Sequence, residues 1–330
     1  MQHHLIQQAA KNVQAEDSVT IYQIACDESY ASNNFFHSLT KKHYFYQLES
    51  VAGIVSFAMS HPSLNINVEV YTTNAAVWSN LFVPKILSLF KNIIDLRVNE
   101  ISDSIDLTDG PALLAKVKLI HLITNVAYKK GLKAAVYLDG DHISVEGWFT
   151  LVNKVASNNN YCISMAYECG LTSLEPIPNF NSGMIWFKPT KELTQMCSSW
   201  INLSIDFCRG RYKNLFNDQD TLVYAISNAG LKPLVMPNVF NLRCHPVYDS
   251  SDYVWSKVYG VHNHDVAGLL VNAILIANKS DCDMLQLLTT SHKLLCENFN
   301  PPRRDHLPRR VSCSKRQMNN LFAQVISRNI

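Results

Sequence analysis

The chain of 330 residues has no uninterrupted apolar run of about 18 residues, so nothing in it is read as a membrane-spanning helix. Its opening residues, Met1-Gln2-His3-His4-Leu5-Ile6-Gln7-Gln8, hold neither a cationic segment nor an apolar one, and no secretory signal is expected. Nine cysteines are scattered singly without a Cys-x-x-Cys pair, which argues against a zinc module and against a disulfide framework. An odd number of separate thiols fits a reducing compartment, and the expected location is soluble and cytoplasmic. Charged residues make up only 17% and the net charge is +2, which removes the electrostatic basis for a nucleic-acid binder. No repeat or low-complexity segment is present. What is plentiful is apolar material: hydrophobic residues reach 47%, enough for a sizeable core in one large α/β unit.

The charge is unevenly placed. Residues 301–330 hold seven Lys or Arg and one Asp, so that stretch carries +6 and the preceding 300 residues carry −4. Pro301-Pro302-Arg303-Arg304 and Pro308-Arg309-Arg310 read as extended or irregular chain. The expectation is a solvated terminus, with contact to anionic lipid, a phosphorylated ligand or a partner as the alternative.

Strand-like and helix-like runs alternate through the first 140 residues. Residues 19–25, 67–71 and 93–98 read as strands, and 42–59 and 75–90 as helices, which implies βαβ units and a mostly parallel sheet. A further helix is bounded by Thr108, Asp109 and Pro111 at its start and by Lys129, Lys130 and Gly131 at its end. Leu113, Val117, Ile120, Ile123 and Ala127 form its apolar stripe, and Lys116 falls inside that stripe. A lysine placed there either snorkels to solvent or meets an anion.

This helix leads into Ala134-Ala135-Val136-Tyr137-Leu138, an apolar run that ends abruptly at Asp139-Gly140-Asp141. A buried parallel strand reads this way, and ligands of open α/β sheets bind at such strand ends. Two carboxylates converging there repel one another unless a hard cation lies between them, which suits Mg²⁺ or Mn²⁺. Asp-x-Asp alone is equally the signature of a solvated turn; the preceding strand is what favours a site.

Three later segments carry further polar groups. Asn181 and Ser182 precede Gly183 and the strand-like run that follows it, and both are able to hydrogen-bond hydroxyls. Asn217-Asp218-Gln219-Asp220 opens a helix, where Asn217 and Asp220 serve equally well as capping groups. Val258-Tyr259-Gly260-Val261 runs into His262-Asn263-His264, either of whose imidazoles is structural or a third ligand.

In this order, these segments resemble the nucleotide-diphospho-sugar glycosyltransferases of the GT-A fold, in particular the retaining xylosyl- and galactosyltransferase-like groups. The resemblance spans about residues 18–275 and rests on the lysine-bearing helix before Val136-Tyr137-Leu138-Asp139-Gly140-Asp141, on Phe180-Asn181-Ser182-Gly183-Met184-Ile185-Trp186-Phe187, on Asn217-Asp218-Gln219-Asp220-Thr221-Leu222, and on His262-Asn263-His264. It implies a GT-A domain over residues 1–280 and a helical or extended basic extension over 281–330. It implies Mn²⁺ or Mg²⁺ held by Asp139, Asp141 and His262, with His264 as the fallback ligand. Ala25, Cys26 and Asp27 would border base and ribose, and Asp139 would also lie near the ribose. Lys116 would approach the nucleotide or donor sugar, and Asn181 and Ser182 would hold donor-sugar hydroxyls. Asp218, Gln219 and Asp220 would line the reaction centre. The implied donor is a nucleotide sugar of the UDP type, with transfer to a glycan or other hydroxyl acceptor and retention at the anomeric carbon. In the family the late histidine is often followed two residues on by asparagine and later by glycine and lysine. Here His264 takes that asparagine position, Gly268 is present, and the next lysine is Lys279. Residues 168–178 and 243–256, with Tyr248, Tyr253 and Trp255, are the expected acceptor region.

Two other classes compete. A metal-dependent nucleotidyltransferase or phosphohydrolase also places carboxylates at strand ends, but leaves Asn181-Ser182-Gly183 without a role. A non-catalytic nucleotide-sugar or glycan binder would keep the fold while having no need of an intact Asp139, Asp141 and His262 set.

Overall fold

The structure, a computed structural model, describes residues 19–26, 45–80, 83–101, 112–145, 147–157, 161–167, 180–209, 218–243, 251–254, 257–279, 282–300, 309–312 and 314–329. Thr108, Asp109, Pro111, Asn217, Tyr248 and Trp255, together with residues 168–178, lie outside them, as does Asp27.

The strand-like runs near the start of the chain form β1 (Thr20–Ala25), β2 (Ile66–Thr72), β3 (Ile94–Glu100) and β4 (Ala135–Leu138). All four are parallel, with β1 between β2 and β4. Strand β5 (His142–Ser144) leaves this sheet, whereas β6 (Ile163–Tyr167), β7 (Phe180–Phe187) and β8 (Leu234–Met236) extend it. The order is β3-β2-β1-β4-β7-β6-β8, and only β7 runs against its neighbours. The expected α/β architecture with a mostly parallel sheet is therefore the one the chain adopts. Asn181 and Ser182, expected just before the β7 strand, lie inside it.

Helices cover both faces. In chain order they are α1 (Phe45–Ser60), α2 (Ala75–Asn80), α3 (Val83–Ser88), α4 (Ala112–Lys129), α5 (Trp148–Ser157), α6 (Lys191–Arg209), α7 (Asp218–Asn228), α8 (His264–Lys279), α9 (Met284–Phe299) and α10 (Lys315–Asn329). Side chains alternate across the sheet as strand geometry demands. Val136 and Leu138 of β4 join the core built with α1, α8, α9 and α10, while Ala135 and Tyr137 join the core built with α4, α6 and α7. Each fully buried large aliphatic side chain in these layers contributes about 1.5–3 kcal/mol. Among the largest fully buried side chains of any kind are the aromatic Trp148, Trp186 and Trp200, each under 2% exposed.

Residues 75–90 were expected as one helix; the described residues of that stretch form α2 and α3, and residues 81 and 82 between them lie outside the described residues. The basic end of the chain was expected as a helical or extended extension over 281–330 with a solvated terminus. Instead Arg309–Ser312 forms β11, which pairs antiparallel with β9 (Ser251–Val254), and α10 buries Met318, Leu321 and Val325 in the main core. Proline and arginine content masked an apolar stripe at helical spacing.

The topology positions a crevice. From β1 the chain builds outward through β2 and β3, then returns to place β4 on the opposite side of β1. The direction of winding switches there, and the gap at the C-terminal ends of β1 and β4 is where ligands of such sheets bind. Helix α4 delivers the chain to β4 by stopping cleanly. Gly131 adopts φ +65°, its N–H donates to the Tyr128 carbonyl, and Leu132 N–H donates to that of Ala127.

Candidate metal and active site

Asp139 follows β4 directly, and its backbone is fixed on both sides. Asp139 N–H donates to the Gly183 carbonyl at 2.9 Å, and the Asp139 carbonyl accepts from His142 N–H at 3.1 Å. The second bond closes the Asp-Gly-Asp turn into β5. Strand β5 then pairs antiparallel with β10 (Gly260–His262), opposing His142 to His262 and Ile143 to Val261. This ribbon carries a histidine from late in the chain to the carboxylates at the end of β4. Asp139, Asp141 and His262 thus offer three ligand atoms that all lie within 4.8 Å of one another. Nε2 of His262 stands 3.1 Å from Asp141 Oδ1 and 3.3 Å from Asp139 Oδ2.

The imidazole is held from behind. The Asn181 side-chain oxygen accepts from Gly183 N–H at 2.8 Å, which fixes the orientation of its amide, and the same oxygen lies 3.1 Å from His262 Nδ1. Nδ1 is therefore a donor, and Nε2 faces the two carboxylates, which favour its protonation; loss of that proton would free the Nε2 lone pair for a cation. A methyl group built on Gly183 would overlap the imidazole ring, so only glycine leaves room for it. Hard carboxylate oxygens with one imidazole nitrogen, presented by an oriented and buried histidine, are a donor set that fits Mn²⁺ or Mg²⁺.

The electrostatics of the group are mutually compensating. Burial opposes the charge of Asp139, but Lys116 and His262 outweigh it and hold the carboxyl well below the usual carboxylate range. Burial likewise opposes charge on Asp141, which His262 and His264 offset, again holding the carboxyl low. His262 responds in the opposite sense, since Asp141 and Asp139 raise it against the pull of burial. Tyr137, one turn of pleat before Asp139, donates its hydroxyl to Asp139 Oδ1.

Beside this trio lies a second polar group. Lys116, in the apolar stripe of α4, does not snorkel outward. Its Nζ donates to Asp139 Oδ2 at 2.9 Å and to Ser182 Oγ at 3.1 Å, and stands 3.4 Å from Asp218 Oδ2. Ser182 in turn donates to Asp218 Oδ2 at 2.6 Å. Asp218 and Gln219 are buried in the first turn of α7, whereas Asp220 is exposed. The structure therefore brings together Lys116, Asp139, Ser182 and Asp218, with Gln219 buried beside Asp218, and leaves Asp220 on the solvent side. Asn181 turns toward His262 rather than toward the Lys116 group. At the end of β1, the Ala25 carbonyl accepts from Gln47 Nε2 at 2.9 Å, and Cys26 is half-buried.

Three participants were not anticipated: Tyr137, Asn181 as the acceptor behind His262, and Glu49. Glu49 is 1% exposed in its side chain, and its Oε1 lies 2.8 Å from His264 Nδ1. A signal for it was present, because Glu49 is the one charged residue in the sequence of α1. His264 begins α8 as expected, but the cap is Asn263, whose side-chain oxygen accepts from the N–H groups of Asp265 and Val266 at 2.8 and 3.2 Å.

Comparison with known proteins gives likenesses among solved structures alone. No protein-family model matches the chain, and no curated protein matches it. Among solved structures, it is similar to mouse xyloside xylosyltransferase 1, with 11% identity, 74% of this chain and 97% of that chain covered, and a TM-score of 0.49. It is also similar to the galactosyltransferase LgtC, with 15% identity, 74% and 86% covered, and a TM-score of 0.41. A third is the glycosyltransferase GlyE of Streptococcus pneumoniae TIGR4, with 12% identity, 69% and 47% covered, and a TM-score of 0.44; the chain spans about half of that protein's length. The α/β sheet described above, with its site at the switch point, is consistent with the GT-A architecture that the motifs imply.

Proposed function

We propose that the protein is a metal-dependent glycosyltransferase that moves a sugar from a nucleotide-diphosphate donor of the UDP type to a hydroxyl acceptor, with retention. The observation that supports this reading best is the convergence of Asp139, Asp141 and His262 at the switch point, directly beside the Lys116–Ser182–Asp218 group. Breaking the bond between sugar and nucleotide leaves negative charge on the diphosphate and an oxocarbenium-like sugar, so a site for this reaction must answer both. A divalent cation held by Asp139, Asp141 and His262 would supply Lewis-acid neutralisation of the diphosphate. The chain's own residues answer the sugar. Ser182 and Lys116 bind hydroxyls of the donor ring, and the Asp218 carboxylate stabilises the cationic ring from a fixed position. Gln219 lies beside it at the reaction centre as a polar group too weak to act as a nucleophile. Asp220 sits on the solvent-facing side of the same turn. Ala25 and Cys26 border the base and ribose.

Incubating the purified protein with a series of nucleotide sugars and Mn²⁺ tests this reading, with slow donor hydrolysis in the absence of acceptor as the expected result. Proton NMR of the anomeric coupling in a transfer product reads the stereochemistry, and an α-linked donor should give an α-linked product. Full turnover in excess chelator overturns the metal role, and a β-linked product overturns retention and returns Asp218 and Asp220 to consideration as a base.

A further inference from the structure

Asp141 is gripped through both of its oxygens. Oδ1 faces His262 Nε2 at 3.1 Å, while Oδ2 lies 3.4 Å from His264 Nδ1. That same Nδ1 is engaged more closely by Glu49 Oε1, at 2.8 Å. His264 is 53% exposed in its side chain, so solvent would otherwise leave its ring free to turn. Glu49 belongs to a helix buried from Gln47 to Ala58 and is itself 1% exposed. The helix is held against the Asp-Gly-Asp turn: a methyl group built on Gly53 would stand 3.0 Å from the His142 carbonyl and 3.1 Å from that of Gly140. Tyr46, one residue into the same helix, sets its ring edge-on to His264 with centroids 6.1 Å apart. A carboxylate behind an imidazole fixes which ring nitrogen carries the proton and where the ring points. Here it places the Nδ1–H of His264 between two carboxylates, one in the buried helix and one at the site.

From this geometry we infer that Glu49 is a positioning residue of the candidate metal site, acting through His264 to hold Asp141 Oδ2 so that Oδ1 is presented as a ligand atom. The inference rests on the proposed metal role of Asp141 and deepens it. It assigns a task to a buried acidic residue that lies 92 positions before Asp141 in the chain and is not one of the ligand trio. It also gives a reason for histidine at position 264. Its one Nδ1–H is shared between Glu49 at 2.8 Å and Asp141 at 3.4 Å, a reach that a shorter asparagine side chain would match less readily.

The test is Mn²⁺ binding to the full-length protein, read from the electron paramagnetic resonance signal of free Mn²⁺, with melting curves as a control of folding. Glu49→Leu fills the same buried space without an acceptor and should weaken Mn²⁺ binding about 10-fold. Glu49→Gln keeps an acceptor oxygen for Nδ1–H and should stay within about 3-fold of the unaltered protein. In a His264→Ala background, Glu49→Leu should have no further effect, because residues acting as one unit are not additive. Unchanged affinity in Glu49→Leu, equal losses in Leu and Gln variants, or a full Glu49 effect that persists without His264 each overturn the inference. If the unaltered protein itself does not retain Mn²⁺, the metal reading fails and the inference falls with it. If the unaltered protein binds and only the Glu49 pattern is missing, the metal reading stands and this inference alone is lost.

Discussion

Gly183 lies flat against the imidazole of His262, where no side chain of any size fits without moving the ring. The carbonyl of the same glycine holds the backbone N–H of Asp139 at 2.9 Å. One residue therefore sets the position of two ligand candidates that are 123 positions apart in the chain. Gly183→Ala should push the His262 ring off the Asn181 acceptor and weaken Mn²⁺ binding about 10-fold or more, as losses of supporting groups do. Titration of the free Mn²⁺ signal measures it, and wild-type affinity in the alanine variant would show that the ring needs no such close seat.

The number of imidazoles at the metal separates the two histidines. Only His262 turns Nε2 to both carboxylates, whereas His264 approaches Asp141 through a nitrogen that Glu49 already engages. Electron spin-echo modulation of the Mn²⁺-loaded protein should show one imidazole nitrogen, lost in His262→Ala and kept in His264→Ala. Two nitrogens, or loss only with His264, would exchange the roles.

Removing Lys116 probes the second polar group. Lys116→Met leaves Asp139 and Asp218 facing each other without their shared cation, at a cost of about 1–3 kcal/mol in stability. Loss of a preorganised charge at a reaction centre typically lowers kcat about 100-fold or more. The expected result is a folded protein, confirmed by circular dichroism, with a large fall in kcat on whichever nucleotide sugar it uses. A kcat within 3-fold of the unaltered enzyme, by the ordinary scatter of surface changes, would place Lys116 outside the chemistry (a threshold of about 0.7 kcal/mol).

Acid stability should depend on His142. This imidazole stacks on Phe57 and meets Trp148 edge-on, and burial pushes its pKa down to about 4. The ordinary value is about 6.5, so between these limits the unfolded chain binds the proton and the folded one does not. Stability from this group is complete above about pH 6.5 and falls by about 3 kcal/mol as pH drops to about 4. Glu49, pushed up to about 7 by burial, acts with the opposite sign across much of the same window, since its neutral form is the one the fold favours. The clean measurement is therefore a difference. The stability gap between the protein and His142→Phe, from urea midpoints at pH 7 and pH 4.5, should move in favour of the phenylalanine variant at the lower pH. A gap that does not change with pH would mean that His142 is not held neutral.

The legibility of this molecule in its sequence follows the range of the interactions involved. Strand β4 and the Asp-Gly-Asp turn were readable because an apolar run that stops at two carboxylates is a local pattern with one comfortable solution in an α/β sheet. Helix α4 was readable for the same reason, since Gly131 ends it by its own backbone freedom. The lysine in its apolar stripe stayed ambiguous until the sheet placed Asp139 and Asp218 in front of it. The signal at Glu49 was ambiguous for a different reason. One acidic residue in an otherwise uncharged helix is as consistent with an exposed position as with a buried one, and only packing against His264 decides between them. At the other end of the chain, arginines and prolines outweighed Met318, Leu321 and Val325, whose spacing carries α10 into the core.

The two-stranded ribbon between β5 and β10 has a bearing on how the protein comes into being. Synthesis runs from the N-terminus, so both carboxylates are made long before their histidine partner exists. A nascent chain halted between Met236 and Gly260 would possess the strands from β1 to β8 and the complete Asp-Gly-Asp turn, yet it would have no third ligand to set between those charges. Their repulsion goes unrelieved on that side until the ribbon closes, and closure of so long a loop waits on the intervening helices having found their places. On the proposed metal role, retention of a cation would then be a property that the chain acquires near the end of its own assembly.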